Sequence, residues 1–332
     1  MRTDILELLR TAGDGYVSGE EIAARLGVSR TAVWKHIQEL REAGYDIESR
    51  SRNGYHLRET PDLLLPAEIE RQLTTEVVGR HIVYSDETQS TNEDAKKLAA
   101  AGAADGTVVV TEFQGDGHGR LARGWFSPRH KGVLLSVILR PQYALPQEAP
   151  QFTLLAAVAV VEAMRACGVT AGIKWPNDIL IDGKKTTGIL TEMSAAMECI
   201  NYIVIGIGVN VNTTAEEFPS EVRDKATSLQ LATGQPVNRV HFAATLLNEL
   251  ERLLKQVRTA GFAPILDVWR RDSVTLGQPV RVIGMNEAVD ATFTGTAVDI
   301  DDYGALLVDT PTGRRRVLAG DVSIRPHEAA AK

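Results

Sequence analysis

The chain has 332 residues, 44% of them hydrophobic and 24% charged, with a net charge of -7 at pH 7. That length exceeds one ordinary core and predicts two or three domains, and the acidic balance excludes a protein coated in basic charge. Any nucleic-acid contact must come from a local patch. No apolar run approaches the ~18 residues that cross a bilayer, and the N-terminus lacks the apolar stretch of a secretory signal, so the expected setting is cytoplasmic with no membrane partner. Cys167 and Cys199 are expected as buried small hydrophobes rather than a disulfide or a thiolate metal site.

Asp4 to Ala12 places Ile5, Leu8 and Leu9 on one helical face. Ser18 to Glu21 reads as a capping box that opens a second helix, stopped by Gly27, and Ser29 caps a third with Ala32, Val33, Ile37 and Leu40 facing inward. Two short helices around a glycine turn read as helix-turn-helix, with Ser29 to Ala43 as recognition helix. Tyr45 to Arg50 and Tyr55 to Arg58 then form a wing around Asn53-Gly54, a tight-turn dipeptide. Residues 27–58 carry a net charge of +2 and residues 1–26 one of -2, so the positive side is the recognition-helix side, as phosphate contact requires. Arg30, Thr31 and Lys35 are the candidates for base or phosphate contact, and Arg52 for the wing; Trp34, next to the apolar positions, is expected partly buried. Winged helices also serve as protein-docking modules.

Pro61 to Pro66 reads as a linker, after which strands and helices alternate. A strand near Ile82 to Tyr84, a helix capped by Ser90, strands over Thr107 to Phe113 and Gly132 to Leu139, a helix from about Glu148 to Cys167, and strands near Ile173, Ile179, Ile189 and Ile203 predict a mixed sheet. Between two of these strands, Gly115, Gly117, Gly119, Arg120, Arg123 and Gly124 make a flexible cationic loop suited to an oxyanion: glycines can turn successive N–H groups inward, and guanidinium forks match phosphate or carboxylate. It is neither a P-loop nor a dinucleotide fingerprint, because no Lys-Ser/Thr pair follows and a strand comes next. Lys185 stands at the start of an apolar strand, where an ammonium calls for an anionic partner such as a ligand phosphate or carboxylate. Gly206 and Gly208 interrupt another strand and suggest close approach of a ligand. No Ser-His-Asp, Cys-His or metal-ligand constellation is evident, so catalysis would rest on charge stabilisation and positioning.

Val237 to Val257 and Phe262 to Arg271 read as helices. Val280 to Ile283, Ala291 to Val298, Ala305 to Asp309 and Arg315 to Leu318 read as short strands of a small β-barrel. Arg314 to Arg316 read as a solvated hairpin.

Several motifs then occur in the order of one family: Asp86 to Asn92, Gln114 with Gly117-His118-Gly119-Arg120, Trp125, Lys174-Trp175-Pro176-Asn177-Asp178, Gly183 to Leu190, and Gly206 to Asn210. The chain resembles, over essentially its whole length, the bifunctional biotin protein ligases that also repress biotin genes. The resemblance implies an α+β multidomain protein: a winged helix-turn-helix domain over 1–62, a biotin- and ATP-binding mixed α/β core over 63–275, and an SH3-like domain over 276–332. It implies activation of biotin by ATP, with Mg²⁺, to biotinyl-5'-AMP and transfer to one lysine of the biotin carboxyl carrier protein of acetyl-CoA carboxylase. The adenylate-bound form would be a homodimer on operator DNA. Ser90, Thr91, Asn92, Gln114, His118, Gly119, Arg120 and Lys185 would bind biotin. Arg120, Arg123, Trp125, Lys174, Asp178 and Asn210 would contact ATP or its phosphates; Lys185 and Arg120 would be catalytic, and Asp178 a metal partner. Many members carry arginine where His118 stands, so a permanent charge is exchanged for one that is mostly absent near neutrality. The related lipoate or octanoate transferases, an effector-binding transcription factor with a dead core, and a ligase whose helix-turn-helix no longer represses are the competing readings.

Overall fold

The computed structural model describes residues 1–197, 199–284, 292–319 and 322–326, with the backbone alone for 122 and 322–326. It divides into two compact units, Met1–Leu63 and Leu64–Lys332.

In the first unit, helices α1 (Arg2–Thr11), α2 (Gly19–Leu26) and α3 (Arg30–Glu42) precede the hairpin β1 (Asp46–Arg50) and β2 (Gly54–Glu59). Ser18 and Ser29 cap α2 and α3 by accepting from the N–H groups of Glu21 and Ala32. The Glu21 side chain, however, pairs with Arg25. Ile5, Leu6 and Leu9 are the buried side chains of α1, with Leu6 in place of the expected Leu8, and they share this core with Ile22, Val33, Ile37 and Leu40. Two further expectations fail here. Trp34 is 55% exposed, because Val33, Ile37 and Leu40 fill the core-facing stripe and position 34 lies about 100° away from 33 on the helix. The wing turn is a three-residue loop closed by the Arg50–Gly54 pair, with the left-handed residue at Arg52 (φ 69) rather than Asn53. Gly54 is needed there, since a Cβ would strike the Val17 carbonyl.

The second unit opens with α4 (Pro66–Glu70), where a linker was expected; Pro66 sits at the first helical turn, where its missing N–H costs nothing. Strands β3 (Ile82–Ser85), β4 (Val108–Thr111), β5 (Gly132–Leu139), β6 (Gly172–Lys174), β7 (Asp178–Ile181), β8 (Lys184–Ala196) and β9 (Cys199–Asn210) form a mixed sheet of order β3-β4-β5-β9-β8-β7-β6, parallel at β3–β4. Helix α5 (Thr91–Ala100) covers one face through Ala95 and Ala99 on Val109, Ile138 and Val204. The other face carries the main core, beneath α6 (Ala149–Ala166), the short helix α8 (Leu229–Thr233), α9 (Arg239–Ala260) and α10 (Ala263–Asp272); α7 (Ser220–Arg223) buries no side chain. Every residue of β5 is buried, and each Val, Leu or Ile so placed contributes roughly 1.5–3 kcal/mol. Among the described residues one helix, Pro146–Ala166, is long and apolar enough to cross a membrane by length and composition alone; 72% of its 18-residue apolar window is buried within the protein, as in a core helix.

Strands β10 (Pro279–Gly284), β11 (Phe293–Ile300), β12 (Leu306–Thr310), β13 (Gly313–Val317) and β14 (Val322–Pro326) form an antiparallel sheet of order β13-β12-β11-β10-β14. Strand β14 was not anticipated, and Ala291, expected to open β11, lies outside the described residues. Arg314 and Arg316 pair with Asp309 and Asp301, and Arg315 stacks on Phe293. Both cysteines are free: Cys167 is half-buried and Cys199 exposed rather than buried, because it begins β9 after a surface turn.

Candidate functional site

The site grows from the register of the sheet. Side chains of alternate residues share a face, so Val204, Gly206, Gly208 and Asn210 of β9 follow one another on the side that α5 covers. Val204 packs under α5; beyond it the two glycines carry no side chains and let other groups approach the strand. Gly208 pairs across strands with Gly188 of β8 and with Leu134 of β5. Trp125 lies over these glycines: added Cβ atoms would come within 3.0 Å of its ring at Gly188 and 2.7 Å of its Nε1 at Gly208. A Cβ on Gly206 would collide with Asn92 Oδ1. The close approach expected at the β9 glycines is therefore made by protein side chains. Trp125 Nε1 is buried and has no hydrogen-bond partner among the described residues, and the same holds for Asn210 Oδ1.

At the start of α5, Ser90 caps the helix and is 5% exposed. Thr91 donates through N–H and hydroxyl to Gln114 Oε1 at 2.8 and 3.0 Å. Ser136 donates to Thr91 and, at 2.6 Å, to Asn92 Oδ1, while Asn92 Nδ2 donates to Glu192 at 2.8 Å. Burial alone would raise the Glu192 carboxyl, but Lys96, Asn92 and His118 outweigh it and hold it below its ordinary value. Such a network fixes each polar group in one orientation. Ser136 and Glu192 escaped the sequence reading, although Ser136 is the single polar side chain in the run from Gly132 to Leu139.

The loop from Gly115 to Gly124 differs from the expected anion nest. None of its four glycines has a left-handed φ, whereas Leu121 does (φ 59). Glycine is needed instead for crowding: a Cβ on Gly117 would lie 2.9 Å from Gln114 Nε2. Backbone bonds from Gly115 and Asp116 to Thr88 and Gln89, and from Trp125 to Gly117, fix the loop's base. His118 Nδ1 lies 3.0 Å from the Asp116 carbonyl, Gly119 donates to the Arg123 carbonyl at 2.7 Å, and the Arg123 side chain is exposed. Arg120 reaches Asn177 Oδ1 at 3.4 Å and donates to the Ala319 carbonyl.

Lys185 has an anionic partner within the protein, not the external one anticipated. Its ammonium is 2.5 Å from Asp178 Oδ1 and 5.5 Å from the centre of the Trp125 ring, a cation–π distance. The β6–β7 hairpin thus offers Asn177 to Arg120 and the next residue, Asp178, to Lys185. Asn177 is itself held by Nδ2 donating to the Ile189 carbonyl at 2.8 Å. Asn210, at the end of β9, donates to the Thr227 carbonyl at 3.2 Å. Lys174 stands apart, lining a groove of about 750 Å³ with Leu180, Arg271 and Val274. Among the described residues no group of three or more His, Cys, Asp or Glu could hold a metal ion.

In the first unit, Arg30, Thr31 and Lys35 are exposed along α3, and Arg52 is exposed at the wing tip. Arg41 is engaged by the Ile47 carbonyl and Ser49, and Arg50 and Arg58 by Glu48. Tyr16 and these two guanidiniums pull the Glu48 carboxyl down to about 2. Half of the positive charge counted over 27–58 is thereby tied to the unit's own frame.

Three segments match known families: 2–56 an HTH domain, 84–210 the biotin/lipoate A/B protein ligase family, and 275–325 the biotin protein ligase C-terminal domain. The chain is 44% identical over 325 residues to the bifunctional ligase/repressor BirA of Bacillus spizizenii, covering 98% of both. The chain belongs to the biotin protein ligase family. The bifunctional ligase/repressor BirA of Escherichia coli is 31% identical over 97% of this chain and 98% of its own length. A biotin protein ligase from Aquifex aeolicus, solved in complex with biotin and ATP, superposes with a TM-score of 0.65 at 28% identity, covering 75% of this chain and all of that one. An N-terminal DNA-binding domain, a ligase core and a C-terminal antiparallel sheet are the parts of a bifunctional ligase/repressor of this family.

Proposed function

We propose that the chain joins biotin to the α-phosphate of ATP, transfers the biotinyl group to a lysine of the biotin carboxyl carrier protein of acetyl-CoA carboxylase, and represses biotin genes when it holds the adenylate. One observation carries the catalytic reading: Arg120 from the loop and Lys185 from β8 meet neighbouring residues of one hairpin, Asn177 and Asp178. Attack of a carboxylate oxygen on the α-phosphorus forms an acyl–phosphate bond, breaks the bond to the β-phosphate and releases pyrophosphate. Two anions approach during this step, so fixed cations that strengthen their hold as charge grows lower the barrier. Lys185 bridges the biotin carboxylate and the α-phosphate, and Arg120 covers the phosphate. Mg²⁺ supplies further charge neutralisation when it enters with ATP.

Ser90, Thr91, Asn92, Gln114, His118 and Gly119 surround biotin, with Ser136 and Glu192 orienting Asn92. Trp125 and Asn210 line the nucleotide side; their unpartnered Nε1 and Oδ1 atoms support this role, since a buried polar atom without a partner costs about 1–3 kcal/mol. Arg123 and Asp178 serve the phosphates and metal. Lys174, in its separate groove, contributes at long range. Domain limits of 1–62, 63–275 and 276–332, a cytoplasmic setting consistent with two free cysteines, dimerisation in the adenylate-bound form, and contact with operator DNA through Arg30, Thr31, Lys35 and Arg52 complete the reading.

ATP–pyrophosphate exchange tests the chemistry. Exchange that requires biotin supports the proposal; exchange that requires lipoate or octanoate, or none with any acid, overturns it. Retention of the protein's own biotin-gene promoter DNA should rise when biotin and ATP are both present, and equal retention without them would remove the co-repressor step.

A further inference from the structure

A face of α3 that the first unit leaves unused for packing carries an unexpected residue. Val33, Ile37 and Leu40 are buried, whereas Arg30, Thr31, Trp34 and Lys35 are exposed. Steps of one and four residues place those four side chains on a single stripe of a 3.6-residue helix. Of the chain's four tryptophans, Trp175 and Trp269 are 1% and 0% exposed and Trp125 is half-buried, while Trp34 keeps 55% of its surface in water.

A lone exposed apolar side chain is ordinary; its neighbours make this one informative. Arg30 and Lys35 form no salt bridge among the described residues, in contrast to Arg50 and Arg58. An indole flanked by cations that form no salt bridge among the described residues, near the start of the second helix of a helix-turn-helix, stands where such helices meet base edges. Its one N–H can meet acceptors on G, A or T alike and so discriminates little, whereas its broad apolar faces complement the 5-methyl group that only thymine presents. We infer that Trp34 is a specificity-determining residue that reads thymine through its methyl group, with Arg30, Lys35 and the wing's Arg52 holding phosphates. This rests on the DNA-binding reading above.

The test uses the full-length protein with biotin and ATP, and duplexes enriched by it from a random pool. Each thymine is replaced in turn by deoxyuridine, which removes only the methyl group. For the wild type, one or two positions per half-site should weaken binding about fourfold, the change to which ~0.8 kcal/mol for one buried methyl corresponds. Trp34→Ala, checked by its thermal melt, should bind the thymine and uracil duplexes equally. Lys35→Ala should weaken all duplexes evenly and flatten the salt dependence by about one phosphate contact. Methyl dependence that survives in Trp34→Ala, or wild-type binding indifferent to every methyl, overturns the assignment while leaving DNA binding intact. Failure of the wild type to enrich any duplex overturns both.

Discussion

Lys185 and Asp178 form an ion pair of 2.5 Å across neighbouring strands, with the Trp125 ring 5.5 Å from the same ammonium. The cation is therefore positioned by the fold itself, pre-aimed by its carboxylate partner and by the ring. Lys185→Ala removes the ammonium and should lower biotin-dependent exchange about 10³-fold, since each ~1.4 kcal/mol of lost transition-state stabilisation is tenfold. Asp178→Asn keeps the ammonium and should cost about tenfold or less. Equal losses in the two variants, measured as kcat, would show that the pair rather than the ammonium is the working unit.

Gly208→Ala places a methyl 2.7 Å from Trp125 Nε1, and Gly188→Ala one 3.0 Å from its ring. Neither glycine has a left-handed φ, so backbone strain is small and the indole must move. Misplacement of a binding group by about 1 Å can cost up to 10²-fold in rate. The expected result is an ATP KM raised at least tenfold in each variant, with the melting temperature nearly unchanged. A normal KM would separate Trp125 from the nucleotide.

Much of this fold is legible in the chain. Ser18, Ser29 and Ser90 mark three helix starts because a serine hydroxyl satisfies a backbone donor locally, and β5 matches its expected bounds because a run apolar but for Ser136 buries both its faces. What sequence order hides is the pairing of distant strands. The Asp178–Lys185 ion pair exists only once β7 and β8 lie side by side, and Ser136 acquires meaning only when β5 pairs with β9 beside Asn92. Proline is ambiguous in another way, since Pro66 ends a linker and starts α4 with the same fixed φ.

Glu251 anchors the segment before β3. Its carboxylate accepts the N–H groups of Glu76, Val77 and Val78 at 2.6, 2.8 and 2.8 Å and pairs with Lys255. Burial alone would raise its pKa, yet these bonds lower it to about 2. A carboxyl depressed in the folded state stabilises above its unfolded value and loses that contribution as pH falls through the folded one. Glu251→Gln should therefore destabilise by up to about 3 kcal/mol at pH 7, and the difference should vanish between pH 4.5 and about 2. Denaturant melts of both proteins across that range check it; a gap that persists at the acid end would contradict it.

His118 lies in the loop beside Asp116 and adds to the field that lowers Glu192. His118→Arg introduces a permanent charge there and should slow release of biotinyl-5'-AMP about tenfold, the effect of ~1.4 kcal/mol. Stopped-flow release rates for the two proteins provide the comparison, and equal rates would count against a retaining role for this position.

The most direct measurement is a crystal structure of the protein with biotinyl-5'-AMP. The account predicts the adenylate beside Thr91, Gln114, Trp125 and Lys185, with Lys185 Nζ at hydrogen-bond distance from the oxygens of the acyl–phosphate link and Arg120 on the phosphate. An adenylate bound elsewhere, with both side chains turned to solvent, would contradict it.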